Sequence, residues 1–420
     1  MKTGSYTGMR SYVSERIDEI GKADILVGIP CYNQEETIGS VIEIVGKGLA
    51  KHYPDCKSVL IVSDGGSLDD TREVAEEAEV PEGVEKIVTI YRGKPGKGTS
   101  FRVIFEAAER LKVTACACFD SDLTSITPEW VKSLLDPVIK HGYDYVTPYY
   151  WRDKYDGTIT NNICYPLTRA LYGLRVRQPI GGDFGFSGKL AAFYARQDVW
   201  QTNVAKFGID IWMTTTAINE GYKICQAYIG TKEHEAKDPS YLGLMFVQVV
   251  TILFGLMGKY QQKWRLVKGS KPTKIFGSPS KVHPKPVPVS LDRLLREFRA
   301  GFNHLYPLWK DILSPEVSRD LREVVTLEDK HFNFPPSLWA KVVYDFAYTF
   351  NRWNSDQHKL VDIMAPLYYG RVASFVKETK DISNVKAEEM IEAQAEEFEK
   401  LKPYLLQKFE KWEGVKGPVG

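Results

Sequence analysis

Phe119-Asp120-Ser121-Asp122-Leu123 places two carboxylates one residue apart at the end of an apolar run, residues 114–119, that reads as a buried strand of a parallel sheet. In open α/β sheets, ligands bind beyond the C-terminal ends of the strands. Hard oxygen ligands at such a place suit a divalent cation bridged to a diphosphate. Three further loops carry matching chemistry. Residues 30–36 and Asp64-Gly65-Gly66-Ser67 offer backbone amides at helix starts and a flexible diglycine, and Gly96-Lys97-Gly98 lets a lysine approach an anion closely. Together these are the parts needed to hold a nucleotide diphosphate. The run Gly93-Lys-Pro-Gly-Lys-Gly98 has neither Walker A spacing nor that of a dinucleotide fingerprint.

The elements that must position these loops alternate between strand and helix. Strands read at 25–30, 58–62, 86–91 and 114–119, and helices at 35–49, 69–79 and 100–111. That alternation argues for a parallel α/β sheet with right-handed crossovers. Strands at 143–149 and 223–229 follow, with a helix at 161–172 and a backbone-flexible loop, Gly181-Gly182-Asp183-Phe184-Gly185, between them. Residues 268–290, with several Pro, Lys and Ser, read as a linker or surface loop. Beyond 291 the apolar residues recur at three- and four-residue spacing over 292–312, 338–353, 360–376 and 387–412, so four helices are expected there. The expected organisation is an N-terminal segment (1–23), an α/β domain (24–267), the linker (268–290) and a helical C-terminal region (291–420).

A chain of 420 residues has room for a large core and two domains, and its net charge of +1 provides no strong field toward nucleic acid or anionic lipid. The six cysteines show no paired CxxC spacing, and Cys116 and Cys118 alternate with alanine in an apolar strand. That usage suits a reducing cytosol, so a cytoplasmic location is expected. Residues 1–19 are polar and lack the apolar core of a signal peptide. Residues 241–258 are apolar but barely long enough to span a bilayer, and they contain Gln248; a buried or interfacial helix is expected there, with no integral membrane span.

The ensemble resembles the GT-A glycosyltransferases. The resemblance is carried by Ile29-Pro-Cys-Tyr-Asn-Gln-Glu-Glu-Thr-Ile-Gly39, by Val62-Ser-Asp-Gly-Gly-Ser-Leu-Asp-Asp-Thr71 and by Asp120-Ser-Asp122. It sharpens at Pro95-Gly-Lys-Gly98, Pro179-Ile-Gly-Gly-Asp183, Phe207-Gly-Ile-Asp210 and His234, a series similar to the glucosylglycerate synthase and glucosyl-3-phosphoglycerate synthase family. The resemblance covers roughly residues 24–260 and implies a GT-A, Rossmann-like, mostly parallel sheet with an α-helical C-terminal extension. It also implies residue roles. Pro30, Tyr32 and Gln34 would line the base site with Asp64 and Gly65, while Lys97, Asp120, Ser121, Gly181 and Gly182 would contact the rest of the donor. Asp122, His234 and Asp120 would hold Mg2+ or Mn2+, and Asp210 would position sugar hydroxyls without acting as a covalent nucleophile. Asp122, Lys97 and Asp210 are the expected catalytic set, with retention of anomeric configuration.

The acceptor region departs from the family. Where the phosphoglycerate enzymes carry Gly-Arg-x-Thr, this chain reads Gly157-Thr158-Ile159-Thr160, and after His234 it has Glu235 and Asp238 where the family is basic. Arginine forks are the best partners of a phosphate dianion. Their loss points to D-glycerate, held by Gly157, Thr158, Thr160 and Asp210, and so to a synthase of glucosylglycerate, a compatible solute. Transfer to 3-phosphoglycerate is the alternative, with Arg152, Lys154 or Arg169 supplying the charge. A polyprenyl phosphate acceptor at a membrane is a further alternative, and a non-catalytic nucleotide-sugar sensor or assembly subunit is the reading from another class. The apolar faces of the C-terminal helices would pack on the catalytic domain or join a homodimer.

Overall fold

The structure, a computed structural model, describes residues 7–234, 238–279 and 282–413, with side chains as far as residue 410. The chain forms two compact units with interleaved segments. Unit one comprises Met1–Arg152, Val176–Glu235 and Thr273–Lys285; unit two comprises Asp153–Arg175, Ala236–Pro272 and Pro286–Gly420. The expected continuous domain at 24–267 is therefore corrected. The chain leaves unit one three times, and its second return, Thr273–Lys285, lies within the segment expected to be a linker.

Unit one is built on an eight-stranded sheet. Its strands are β1 (Ile25–Cys31), β2 (Ser58–Asp64), β3 (Val84–Ile90), β4 (Ala115–Cys118), β5 (Tyr145–Trp151), β6 (Phe184–Ser187), β7 (Ile224–Thr231) and β8 (Ile275–Phe276). Every residue of β1, β2 and β4 is buried, as expected where helices cover both faces of a parallel sheet. The spatial order is β8-β7-β5-β6-β4-β1-β2-β3. Only β6 runs antiparallel, pairing with β4 and β5; the other neighbours are parallel.

This topology decides where the chemistry collects. The C-terminal ends of β1, β2, β4, β5 and β7 share one edge of the sheet. Because β6 runs the other way, its first residue, Phe184, lies at that same edge opposite Cys118. Phe184 and Gly185, expected in a loop, open this strand instead, and the turn Gly181 to Asp183 is delivered to the end of β4. A strand of four residues with a glycine inside it leaves too little period-two signal to be read from sequence.

The helices Ile38–His52 and Pro128–Ile139 cover one face, where Val41, Val45 and Leu134 join Val27, Leu60 and Ala117 in a single core. The opposite face carries the helix Lys97–Leu111, whose Ile104 fills the space a side chain at Gly28 would occupy. Lys97 opens this helix, where the sequence reading placed it in the loop before a helix starting at residue 100. The helix begins there because Gly96, at φ 149°, makes the turn and Thr99 Oγ1 donates back to the Lys94 carbonyl at 2.6 Å.

Unit two is helical. It contains a π-helical turn, Thr160–Cys164, continuing as Tyr165–Tyr172, the apolar helix Gly243–Lys259, and a C-terminal set running from Leu291–Ile312 to Asn384–Glu413. The set includes Pro315–Thr326, a helix that the sequence reading passed over. Among the described residues no helix is long and apolar enough to cross a membrane. Phe246, Val250, Phe254 and Met257 of the apolar helix are buried, as its lack of a clear polar stripe demands.

Candidate active site

Two segments that follow strands are laced together at the sheet edge. The Thr124 N–H donates to the Glu233 carbonyl at 3.0 Å, and the Glu233 N–H to Ser125 Oγ at 2.9 Å. This pairing sets Asp122 Oδ2 3.7 Å from His234 Nδ1, with both side chains partly open to solvent. An acid and an imidazole thus form an open O,N corner. Mg2+ and Mn2+ take few protein ligands and fill the remaining positions with phosphate oxygens and water. The residues present therefore fit such an ion.

Asp120 departs from its expected part as a third metal ligand. Its Oδ1 lies 2.7 Å from Lys97 Nζ and its Oδ2 2.9 Å from Lys232 Nζ. Both oxygens already serve ammonium groups, and among the described residues no cluster of three acidic, histidine or cysteine side chains could hold a metal. Burial opposes the charge on Asp120, but Lys232 and then Lys97 outweigh it and hold the carboxyl far below the usual range. For Lys97, burial disfavours the ammonium, yet Asp120 and Asp210 raise it above its ordinary value.

Asp210 sits in the first turn of the helix Ile209–Asn219. Its Oδ2 is 3.5 Å from Lys97 Nζ, while its buried Oδ1 has no hydrogen-bond partner. Burial raises its pKa. An unpaired buried carboxylate oxygen is costly, so a ligand hydroxyl at that place would be well received. The Gly98 N–H donates to the Lys206 carbonyl at 3.2 Å and ties the two helix starts together.

The loops after β1 and β2 lock to one another. The Asn33 N–H donates to Ser67 Oγ at 2.8 Å, the Leu68 N–H to Asn33 Oδ1 at 2.9 Å, and the Gln34 N–H to Thr71 Oγ1 at 2.6 Å. Tyr32 stands 54% exposed on this lip, with Gly65 beneath its ring, whereas Pro30 is buried at the strand end. Asp64 is 1% exposed and accepts from the Gly66 and Ser67 amides at 2.9 and 3.0 Å. It shapes the loop from inside instead of facing the opening. Ser121 is buried, and its carbonyl accepts from Thr37 Oγ1 at 2.7 Å.

Sequence reasoning gave no role to Lys232 and none to Asp183. Lys232 is the first residue beyond β7, and Asp183 precedes β6, so position at a strand end was the available signal. Two expected acceptor residues prove to be internal to unit two. Thr158 is fully buried, its hydroxyl 2.6 Å from Tyr368 OH, and Thr160 is buried in the π-helical turn. Their hydroxyls are therefore held within unit two and not offered to an acceptor. Glu235 lies outside the described residues, and Asp238 caps a turn through Ser240 and accepts from the Ser290 N–H at 2.9 Å.

Residues 26–195 match the family model Glycosyl transferase family 2. A mostly parallel sheet with an acidic strand-end site and this match define a GT-A glycosyltransferase domain, and the protein is a glycosyltransferase. The resemblance read from the motifs is borne out. Among its relatives is the glucosyl-3-phosphoglycerate synthase of Mycolicibacterium smegmatis, 28% identical over 255 residues, 56% of this chain and 78% of that one. The enzyme of the same name from Mycolicibacterium paratuberculosis is 27% identical over 260 residues, 56% of this chain and 72% of that one. Among solved structures, the glucosyl-3-phosphoglycerate synthase from Mycobacterium tuberculosis with Mg2+ and uridine diphosphate is 24% identical, with a TM-score of 0.45 over 60% of this chain and 86% of that one.

Proposed function

We propose that this protein is a metal-dependent, retaining glucosyltransferase that moves glucose from UDP- or GDP-glucose to D-glycerate, giving 2-O-α-glucosylglycerate. The observation that carries the reading is the open Asp122–His234 corner beside the Lys97–Asp120–Asp210 cluster at one strand-end edge. Asp122 and His234 would hold Mg2+ or Mn2+, an ion that supplies charge neutralisation and Lewis acidity at a departing diphosphate. Lys97 is already charged and held at the site, so it needs only to exchange a carboxylate contact for a phosphate oxygen. Asp210 accepts a hydroxyl of the sugar through its free Oδ1 and orients the ring. Pro30, Tyr32, Gln34 and Gly65 frame the base, with Asp64 bracing their loop; Asp120, Ser121, Gly181 and Gly182 border the donor. The leaving phosphate oxygen takes the acceptor's proton while the new glycosidic bond forms on the face it vacates, which retains the α configuration.

The choice of glycerate rests on where the cations that the sequence offered for a phosphate are spent. Lys154 Nζ donates to the carbonyls of Thr379 and Ile382 at 2.6 and 2.7 Å. Arg169 is 1% exposed and paired with Glu392 and Glu399 at 2.7 and 3.1 Å. Both hold unit two together, so neither is offered to a phosphate. A second reading, transfer to 3-phosphoglycerate, is favoured by the named activity of the relatives and would rely on Arg152, which donates to Gln178 Oε1 at 2.9 Å. Turnover of a panel of nucleotide sugars with each acceptor, with and without Mg2+, separates them. Strong turnover with 3-phosphoglycerate and none with glycerate overturns the first. Intact UDP-glucose under every condition would instead indicate a sensor. A cytoplasmic homodimer belongs to the same proposal, on the lack of paired CxxC spacing among the six cysteines and on the apolar C-terminal helices, and light scattering tests the dimer.

A further inference from the structure

Lys232 lies at the centre of the site, 3% exposed. An ammonium has three N–H donors, and three acceptors surround this one: Asp120 Oδ2 at 2.9 Å, Asp183 Oδ2 at 3.0 Å and the Gly181 carbonyl at 3.0 Å. The Tyr150 ring closes another side, its centroid 5.0 Å from Nζ, and the Tyr150 hydroxyl donates to the same Gly181 carbonyl at 3.2 Å. With every donor used internally, Lys232 has none to spare for a ligand, unlike Lys97. The groups it gathers are those that fix Asp120. Asp183 Oδ1 accepts from the Asp120 N–H at 2.8 Å, so backbone and carboxylate of Asp120 are both tethered through the Lys232–Asp183 pair.

We propose that Lys232 is a positioning residue that sets the protein ligand count of the metal site. It acts as a built-in cation that withholds Asp120 from the metal, leaving Asp122 and His234 as the protein ligands. Asp120 lies two residues from Asp122 on the same strand end, and without Lys232 its carboxylate is the nearest further anion for a divalent ion. A third protein ligand would strengthen resident metal binding and occupy a position that the donor's phosphates need. With Lys232 in place, metal and donor must complete each other's coordination, so each is bound well only with the other. This inference rests on the Asp122–His234 pair being the metal corner.

The test is Mn2+ binding followed by electron paramagnetic resonance, with and without UDP, on the native protein and on Lys232→Met, together with Mn2+-loaded crystals of both. The native protein is expected to bind Mn2+ about tenfold or more tightly with UDP than without, through Asp122 and His234, a shift of the size seen when surroundings of a metal site change. Lys232→Met is expected to bind Mn2+ without UDP about tenfold more tightly than native, with Asp120 as a third ligand and the benefit of UDP largely lost. Because the single variant leaves Asp183 buried without its cation, Lys232→Met/Asp183→Asn is read the same way, keeping a folded protein to measure. Unaltered Mn2+ affinity in these variants, with Asp122 and His234 still the protein ligands, overturns the role of Lys232 alone. Mn2+ bound away from Asp122 and His234 in the native protein overturns the metal reading and this inference with it.

Discussion

Asp122 Oδ2 and His234 Nδ1 stand 3.7 Å apart although they follow two strands, β4 and β7, that are not neighbours in the sheet. Strands β5 and β6 lie between, and the hydrogen bonds of the Thr124 N–H and the Ser125 hydroxyl oxygen to the Glu233 backbone close the gap above them. On the proposed reading, in which Asp122 and His234 hold the ion, substituting either removes half of that hold while leaving the core untouched. His234→Ala and Asp122→Asn are each expected to lower glucosyl transfer by about a hundredfold or more, with little change in melting temperature. Steady-state turnover at saturating Mg2+, paired with thermal melts, checks this; near-native turnover in both variants would remove the metal corner from the mechanism.

Gly182 has φ 90°, and a Cβ there would collide with Asp120 Oδ2 and press on Lys232 Nζ. Gly182→Ala therefore combines backbone strain with displacement of the central carboxylate. The expected outcome is a loss of about 1–3 kcal/mol of stability and a raised KM for the nucleotide sugar. Denaturant unfolding and donor titration read the two effects separately.

Arg169 was a candidate phosphate ligand from sequence and is an internal tie of unit two in the structure. Arg169→Met leaves Glu392 and Glu399 without their partner; as both are partly exposed, a loss of about 2 kcal/mol is expected, below the range for wholly buried pairs. The ratio of kcat/KM values for glycerate and 3-phosphoglycerate should not move. A ratio shifted by tenfold or more would return this arginine to the acceptor site.

Lys402 yields a pH prediction. Burial lowers its pKa to about 8, with Glu399 opposing, while its Nζ donates to the Val267 carbonyl at 2.6 Å. An unfolded lysine titrates near 10.4, so between about 8 and 10.4 the unfolded chain binds more protons than the folded one. Stability associated with this group therefore rises with pH across that window and is lowest, and flat, below it. Lys402→Met should lose this rise, so the difference in unfolding free energy between native and variant should shift in favour of the native protein from pH 8 to 10. A constant difference would place the lysine's folded pKa near its ordinary value.

Much of unit one was legible in the chain because its strands are continuous apolar runs. Residues 25–30 and 58–62 read correctly since burial on both faces leaves no polar positions to confuse the period, and Asp120-Ser121-Asp122 announced itself by following such a run. The helix Pro315–Thr326 and the short strand Ile275–Phe276 were missed. The helix carries Val317, Leu321 and Val324 at helical spacing, a signal that was present but went unread, whereas a strand of two residues is too short to show a period.

The same distinction runs through the site. A buried strand followed at once by charge is a local pattern and was enough to select Asp120 and Asp122, and the flanking glycines drew attention to Lys97, whereas Asp210 and His234 were reached only through the resemblance of their motifs to the family. Which carboxylate lies against lysines and which stays partly open to solvent was not local. That depended on the reversal of β6, which brings Asp183 to Cys118's end of β4, and on Lys232 arriving from β7 to occupy Asp120. Charges separated along the chain interact only through distances set by the folded sheet. The pairing that silences one aspartate and leaves its neighbour open therefore belongs to the tertiary structure.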